Sequence, residues 1–142
     1  MSSYKQLLVG LDLSDESIRV LRKAKQLAQV CEAEVSIAHI VEPLAFAYGG
    51  DMPIDLSEAQ TSMEQQAKTR LAKIASEFEI ETKAQFITVG STAAELHRLA
   101  EENKIDLIVV GSHGRHGLAL LLGSTANGVL HGAKCDVLAV RV

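Results

Sequence analysis

The sequence contains little cysteine, no long apolar run and no long run of charges of one sign. Its two cysteines, Cys31 and Cys135, come without an export signal, so we expect reduced, packed thiols with no redox role. No stretch approaches the ~20 apolar residues that span a bilayer. The first ten residues lack the basic and long apolar regions of a secretory signal. We therefore expect a cytoplasmic protein with no membrane partner.

Basic residues are few and scattered. Lys and Arg number 14 against 18 Asp and Glu, for a formal net charge of −4. Electrostatic binding of nucleic acid needs clustered Lys and Arg, so we expect no nucleic-acid partner. An anionic ligand must instead be held locally, by backbone N–H groups and one or two basic side chains.

Short apolar runs alternate with segments of helical period along the chain. Strands are predicted at residues 6–11, 34–41, 82–89, 106–110 and 136–142, with a helix after each of the first four. Such crossover helices require parallel strands, which are buried on both faces. We predict a single domain over residues 1–142. Its fold class is α/β, a doubly wound five-stranded parallel sheet in the order 3-2-1-4-5 with helices on both faces.

In this order the chain reverses direction across the sheet between strands 1 and 4. Ligands of such sheets bind at that switch point, outside the carboxyl ends of the strands. The loop after strand 1 carries Asp12, and the loop after strand 4 starts at Gly111. The connection over residues 43–56 is longer than usual and is predicted to be a mobile or functional loop.

The loop after strand 4 is rich in glycine and hydroxyl residues. Four glycines fall between residues 111 and 123, and Ser124 and Thr125 open the last predicted helix. Glycine lets the backbone approach a ligand closely, and N–H groups at a helix start bind anions. No Gly-Lys-Ser/Thr follows, which excludes a Walker A loop, and strand 1 lacks a dinucleotide-binding glycine fingerprint. The loop therefore predicts a phosphate site of another type.

Essentially the whole chain resembles the universal stress protein family. The resemblance rests on Asp12 after strand 1, on His39 and Ile40 at the end of strand 2, on the glycine loop, and on the closing run from Cys135 to Val140.

The glycine loop resembles the nucleotide-binding branch of that family. That branch carries Gly, two residues, Gly, nine residues, and then Gly-Ser/Thr. Gly111 and Gly114 fit this pattern, but only eight residues separate Gly114 from Gly123. The loop is thus one residue shorter in its variable middle, and every phosphate-facing group of the pattern remains.

The resemblance implies an adenine nucleotide, ATP or AMP, with Mg²⁺ accompanying ATP. Asp12 would contact the ribose hydroxyls or the phosphates, and Ile40 would offer its backbone to the adenine edge. The other residues expected around the nucleotide are Gly10, Val110, Gly111, His113, Gly114, Arg115, Gly123, Ser124 and Thr125. Among these, Val110 and Gly111 would line the ribose and base.

Several of these residues have a second interpretation. Asp12 also suits a cap on the turn into helix 1, and Ser124 would cap its helix with the same geometry that binds phosphate. Arg115 is equally a solvated loop residue. His113 and His116 are three positions apart, but no acid or cysteine is near them in sequence, so no metal site is predicted. His39 is predicted to be a hydrogen-bonded core residue.

Three functions fit these features. The first is a nucleotide-binding regulatory protein of the stress response. The second is a slow ATPase or phosphotransferase, which needs a cationic clamp and a water-orienting group that the sequence does not recognisably supply. The third is a non-binding interaction module, supported by the shortened loop and by Ala126, where some relatives carry a hydroxyl. The resemblance also implies a homodimer through the predicted last strand, Asp136 to Val142, otherwise an exposed edge.

Overall fold

A computed structural model describes residues 3–44, 56–112 and 124–141 of the chain. The strands are β1 (Gln6–Gly10), β2 (Glu34–Val41), β3 (Gln85–Val89), β4 (Leu107–Gly111) and β5 (Asp136–Val140). The helices are α1 (Asp15–Cys31), α2 (Ser57–Glu77), α3 (Thr92–Glu102) and α4 (Ser124–Leu130), with a 3₁₀ turn over Thr82–Ala84. Within these three stretches, no helix is long and apolar enough to span a membrane.

All five strands are parallel and lie in the order β3-β2-β1-β4-β5. The predicted fold class and strand order are therefore confirmed. Strand β1 is central, with Gly10 opposite Ala38 of β2 and Val9 opposite Val109 of β4. The long connection predicted at residues 43–56 falls largely on residues 45–55, which lie outside the described part of the chain.

Each face of the sheet has its own apolar core. Leu7 and Val9 of β1 belong to the core under α1 and α2, whereas Leu8 belongs to the core under α3 and α4. All three side chains are fully buried, and each such burial contributes roughly 1.5–3 kcal/mol. Because successive strand residues face opposite sides, both faces of a central strand must be apolar. This explains the continuous apolar runs in the sequence.

Strand β2 has its predicted bounds, and the boundaries of the other four strands differ from the predictions by one to three residues. The largest difference is in β3, which begins at Gln85 because the three residues before it form the 3₁₀ turn. Strand β1 ends at Gly10 rather than Leu11, and β4 is shifted by one residue to end at Gly111. Strand β5 ends at Val140, two residues before the predicted end.

The spacing of Thr92 and Glu95 in the sequence predicts a capping box at the start of α3, and this prediction is wrong. Helix α3 begins at Thr92 after Ser91, and no side-chain hydrogen bond caps it among the described residues. The Thr92 hydroxyl donates instead to Glu42 at 2.8 Å. Arg98 donates to both carboxylate oxygens of Glu95 and holds the pKa of that carboxyl below its usual range. The side chains of Thr92 and Glu95 therefore bond to Glu42 and Arg98, and not to the backbone N–H groups at the start of the helix.

Asp106 ties the amino end of β1 to β4. Its carboxylate accepts hydrogen bonds from the backbone N–H groups of Lys5 at 2.8 Å and Gln6 at 3.0 Å. Its own N–H donates to the carbonyl of Gln6 at 3.0 Å. These bonds fix where β1 starts against β4, and therefore which residues meet at the opposite, carboxyl end.

Replacing Asp106 should destabilise the fold. Asp106→Ala leaves two backbone donors without their acceptors, for an expected loss of roughly 1–3 kcal/mol in the free energy of unfolding. Asp106→Asn keeps one acceptor oxygen and should lose less. Urea denaturation measures both, with Glu101→Ala as the control, because it removes only an exposed ion pair to Lys134. Equal losses in Asp106→Ala and the control would contradict the assignment.

Candidate functional site

The switch point lies where the chain leaves β1 and β4 toward opposite faces of the sheet. Helix α1 follows β1 and covers one core, and α4 contributes Ala126 and Val129 to the other. The two strands are neighbours, so their carboxyl ends lie side by side, while α1 and α4 lie on opposite faces of the sheet. A crevice between diverging connections is where ligands bind in such sheets. The structure thus brings the ends of β1 and β4 together as the sequence predicted.

Asp12 lies half-buried in the loop between β1 and α1. Its Oδ1 atom accepts hydrogen bonds from the backbone N–H of Ser14 at 2.9 Å and from the Ser14 hydroxyl. Ser14 is the N-cap residue of α1 by its backbone, but its hydroxyl does not cap the helix. Ser14 followed by two acidic residues predicts an N-cap hydroxyl from the sequence. That prediction is wrong, and the carboxylate of Asp12 shapes the turn instead. This contact agrees with the turn-capping interpretation of Asp12 and is also compatible with ligand contact.

The residue after Asp12 has a strained backbone. Leu13 has a φ of 66°, a left-handed conformation that costs a non-glycine residue about 1–2 kcal/mol. Its side chain packs against the core under α1 and α2. Strain of this kind persists only where the surroundings enforce it, and it clusters at functional loops.

Two side chains from other elements hold this loop. The His39 ring of β2 bonds through Nδ1 to the carbonyl of Leu11 at 2.7 Å. This confirms the predicted hydrogen bond, but His39 is half-buried rather than a core residue. Arg70 of α2 donates from Nε to the carbonyl of Leu13 at 3.5 Å and from Nη2 to Asp15 at 3.3 Å. Sequence patterns missed Leu13 and Arg70 as site residues, because neither lies in a motif.

The backbone of Ile40 faces the end of β1. Leu11 donates its N–H to the carbonyl of Ala38, and Gly90 donates to the carbonyl of Val41. Backbone polar groups of alternate strand residues point to the same side. The N–H and C=O of Ile40 therefore point toward β1, whose last ladder residue is Gly10. They lie at the carboxyl edge of the sheet, beside the loop of Asp12.

The side chains of Ile40 and Val110 belong to the core under α3 and α4. Val110 is 1% exposed and Ile40 is 6% exposed, so a ligand at this edge meets their backbones. Ala126 is also fully buried in that core. A larger or polar side chain at position 126 therefore enters the packing between α4 and the sheet.

Gly10 has a packing role at the same edge. A β-carbon placed on it would lie 3.0 Å from Leu96 Cδ1 and 3.3 Å from Val110 Cγ1. Both distances are shorter than ordinary contacts, and both neighbours are almost fully buried. Close packing of α3 on β1 thus leaves little room for a side chain here.

The remaining predicted residues are only partly covered by the structure. Gly111 ends β4, and the next residue, Ser112, is buried and donates its N–H to the carbonyl of Val140 at 2.7 Å. The backbones of Ser124 and Thr125 open α4 as predicted. The predicted residues that lie outside the described ranges are His113, Gly114, Arg115 and Gly123.

Both cysteines are free and half-buried. Burial raises the pKa of the Cys135 thiol, and the neighbouring carboxylate of Asp136 raises it further. A raised thiol pKa disfavours the reactive thiolate. Over residues 3–44, 56–112 and 126–141, no three His, Cys, Asp or Glu side chains come together as metal ligands.

The doubly wound parallel sheet, with Asp12 and the Ile40 backbone at its carboxyl edge, defines an α/β protein of the doubly wound class. A model of the Universal stress protein family matches residues 3–141. The chain belongs to the universal stress protein family.

Curated relatives agree with this assignment. Universal stress protein A homolog 2 of Coxiella burnetii is 44% identical, over 100% of this chain and 98% of the relative. Universal stress protein A homolog 1 of the same organism is 40% identical over 96% of each chain.

Two solved structures are similar over nearly the full length. Hypothetical protein MJ0577 superposes with a TM-score of 0.80 at 25% identity, covering 99% of this chain and 98% of its own. A universal stress protein solved in complex with cAMP has a TM-score of 0.61 at 31% identity, covering 98% of both chains.

Gly10→Ala should lower stability through overpacking. The added methyl forces Leu96 and Val110 apart, for an expected loss of about 1–3 kcal/mol in the free energy of unfolding. Leu96→Ala opens space, so the double variant Gly10→Ala/Leu96→Ala should lose less than the sum of the single losses. Chemical denaturation of the four proteins measures this coupling. Strict additivity would show that Gly10 is not in contact with Leu96.

Proposed function

We propose that this protein binds an adenine nucleotide, ATP or AMP, at the switch point and acts as a regulatory protein of the stress response rather than through turnover. The observation that carries the proposal is the cAMP complex of a universal stress protein, which is 31% identical over 98% of both chains. cAMP is itself an adenine nucleotide. The described part of the carboxyl edge in this chain supplies the Asp12 carboxylate, held by Ser14. It also supplies the backbone N–H and C=O of Ile40, which point toward β1.

The base and ribose would occupy the ends of β1, β2 and β4. The Ile40 backbone, pointing toward β1, can exchange hydrogen bonds with the adenine edge. Asp12 would accept from a ribose hydroxyl or approach the phosphates, and its bonds to Ser14 fix its orientation beforehand. A loop that is ordered before binding loses less entropy on binding, which favours affinity.

The phosphates would contact the glycine loop. Gly114 and Gly123 permit close backbone approach, while Ser124 and Thr125 offer hydroxyls and N–H groups. Arg115 would pair with a phosphate, and His113 would line the pocket. Because the chain carries a net charge of −4, Mg²⁺ accompanying ATP would offset the charge of the triphosphate.

A homodimer through β5 would cover the open edge of the sheet. Every residue of β4 from Leu107 to Val110 is buried, whereas Val137, Leu138, Ala139 and Val140 of β5 are only half-buried. Ser112 donates to the carbonyl of Val140, so Val140 faces β4. Ala139, one residue away, directs its N–H to the open side. Unpaired edges of this kind bind a further strand.

Calorimetric titration with ATP and AMP, with and without Mg²⁺, tests the nucleotide site. The wild-type protein should bind with micromolar affinity. Gly123→Val should abolish binding by filling the phosphate loop, and Asp12→Ala should weaken it by about tenfold or more, equivalent to ~1.4 kcal/mol.

Glu16→Ala is the matched control, since it removes an exposed carboxylate from the first turn of α1. It should bind like the wild type. Absence of heat and of competition at millimolar nucleotide would leave a non-binding interaction module as the function. Equal affinity of Asp12→Ala and wild type would remove Asp12 from the site.

ATP turnover distinguishes regulation from catalysis. Under saturating ATP and Mg²⁺ we expect release of phosphate to stay far below the ~10 s⁻¹ that is typical of dedicated enzymes. Turnover in that range, lost in Gly123→Val, would instead establish an ATPase.

The dimer has its own test in Ala139→Pro. Proline removes an N–H on the open side of β5 without removing a bond to β4, so it should shift the sedimenting species from twice the chain mass to 15.3 kDa. Circular dichroism checks that the variant is folded. A wild-type monomer at micromolar concentration, or a dimer that persists in a folded variant, would contradict the β5 interface.

A further inference from the structure

We propose that His39 is a positioning residue of this site: its ring holds the loop of residues 11–14 in the strained conformation that presents Asp12. The part of the proposal that concerns nucleotide affinity rests on the proposed function. The part that concerns the loop stands on the contacts of the described residues alone.

The geometry of the His39 contact fixes the role of its ring nitrogens. Nδ1 lies 2.7 Å from the carbonyl oxygen of Leu11. A carbonyl oxygen only accepts, so Nδ1 must carry the proton and donate it. In the neutral ring, Nε2 is then the acceptor. The donor belongs to a strand of the central sheet, and the acceptor immediately precedes Asp12 in the chain.

The loop needs such a contact because the sheet stops just before it. The pairing of β1 with β2 ends with Gly10 opposite Ala38, and the N–H of Leu11 donates to Ala38. Two residues later the backbone of Leu13 is left-handed, with a φ of 66°. Without support, a leucine relaxes out of this region. Such a rotation would swing Asp12 away from the carboxyl edge.

Of the two side chains that reach loop carbonyls from β2 and α2, His39 makes the shorter contact. Its bond to Leu11 measures 2.7 Å, whereas Arg70 reaches the carbonyl of Leu13 at 3.5 Å. Arg70 also reaches an exposed partner, Asp15, so its position is less constrained. The contact from β2 is therefore the tighter of these two.

The surroundings of His39 favour positioning over packing. On the same face of β2, Ile37 and Val41 are buried apolar residues. An apolar β-branched residue would continue that face and suits a strand better. Burial of an imidazole costs free energy unless it is hydrogen-bonded. The hydrogen bond to Leu11 is therefore what distinguishes this position from its neighbours.

Two variants separate the hydrogen bond from the bulk of the ring. His39→Leu keeps a comparable volume and removes the donor. His39→Asn keeps an N–H donor at the position of Nδ1. We expect His39→Leu to bind ATP and AMP about tenfold more weakly, whereas His39→Asn should recover most of the wild-type affinity. Denaturation curves for both proteins ensure that binding is measured on the folded fraction.

Nuclear magnetic resonance reads the loop without any nucleotide. The wild-type His39 ring should show the Nδ1-protonated tautomer in its ¹⁵N shifts. The three-bond HN–Hα coupling and the Cα shift of Leu13 should report a left-handed residue. Both Leu13 signals should change in His39→Leu and be restored in His39→Asn.

Each outcome decides one part of the proposal. An Nε2-protonated ring, or Leu13 signals unchanged in His39→Leu, would overturn the positioning role. Equal losses of affinity in both variants would also overturn it, because the donor would not matter. If the wild type binds neither ATP nor AMP, the proposed function fails, while the tautomer and the Leu13 signals still decide whether His39 positions the loop.

Discussion

The structure depends on the double burial of its central strand. Leu7, Leu8 and Val9 are fully buried and alternate between two separate cores. Burial on both faces requires helices on both faces, with α1 and α2 over one core and α3 and α4 over the other. The placement of α1 and α4 on opposite faces beyond β1 and β4 thus follows from the hydrophobic effect acting on three consecutive residues, and ligands of doubly wound sheets bind at such a switch point. Asp106, at the opposite end, fixes the register that aligns the two strand ends.

Polar contacts at the carboxyl edge act on the loops rather than on the sheet. Asp12 folds its own turn through Ser14, and His39 reaches the loop from β2. Apolar packing specifies the strands and also holds the side chains of Leu11 and Leu13, but it is not directional and does not by itself orient the backbone carbonyls of this loop. A small number of directional bonds therefore determines the local shape where the ligand is proposed to bind, and a strained residue is held there as a consequence.

Periodicity in the sequence was sufficient for the fold. Alternating apolar runs and helical segments predicted the parallel sheet, its strand order and the pairing of β1 with β4. Contacts between distant residues left no pattern to find. His39 and Leu11 are 28 positions apart, and Thr92 bonds to Glu42 across 50 positions. The bond from Thr92 to Glu42 replaces the capping box that the local sequence of Thr92 and Glu95 predicts. Gly10 was predicted as a ligand contact, yet its neighbours Leu96 and Val110 give it a packing role.

Ile40 and Val110 contribute their side chains to the core and their backbone groups to the carboxyl edge of the sheet. Ile40 and Val110 turn their side chains into the packing under α3 and α4, and only their main chains reach the rim of the sheet. Main-chain groups are the same in every amino acid. Substitutions at these two positions are therefore restricted by the volume and shape of the side chain. One apolar residue can replace another without changing the backbone hydrogen-bonding groups at the edge of the sheet. When a ligand is recognised through backbone groups in this way, core side chains can change during evolution without changing which ligand the protein binds.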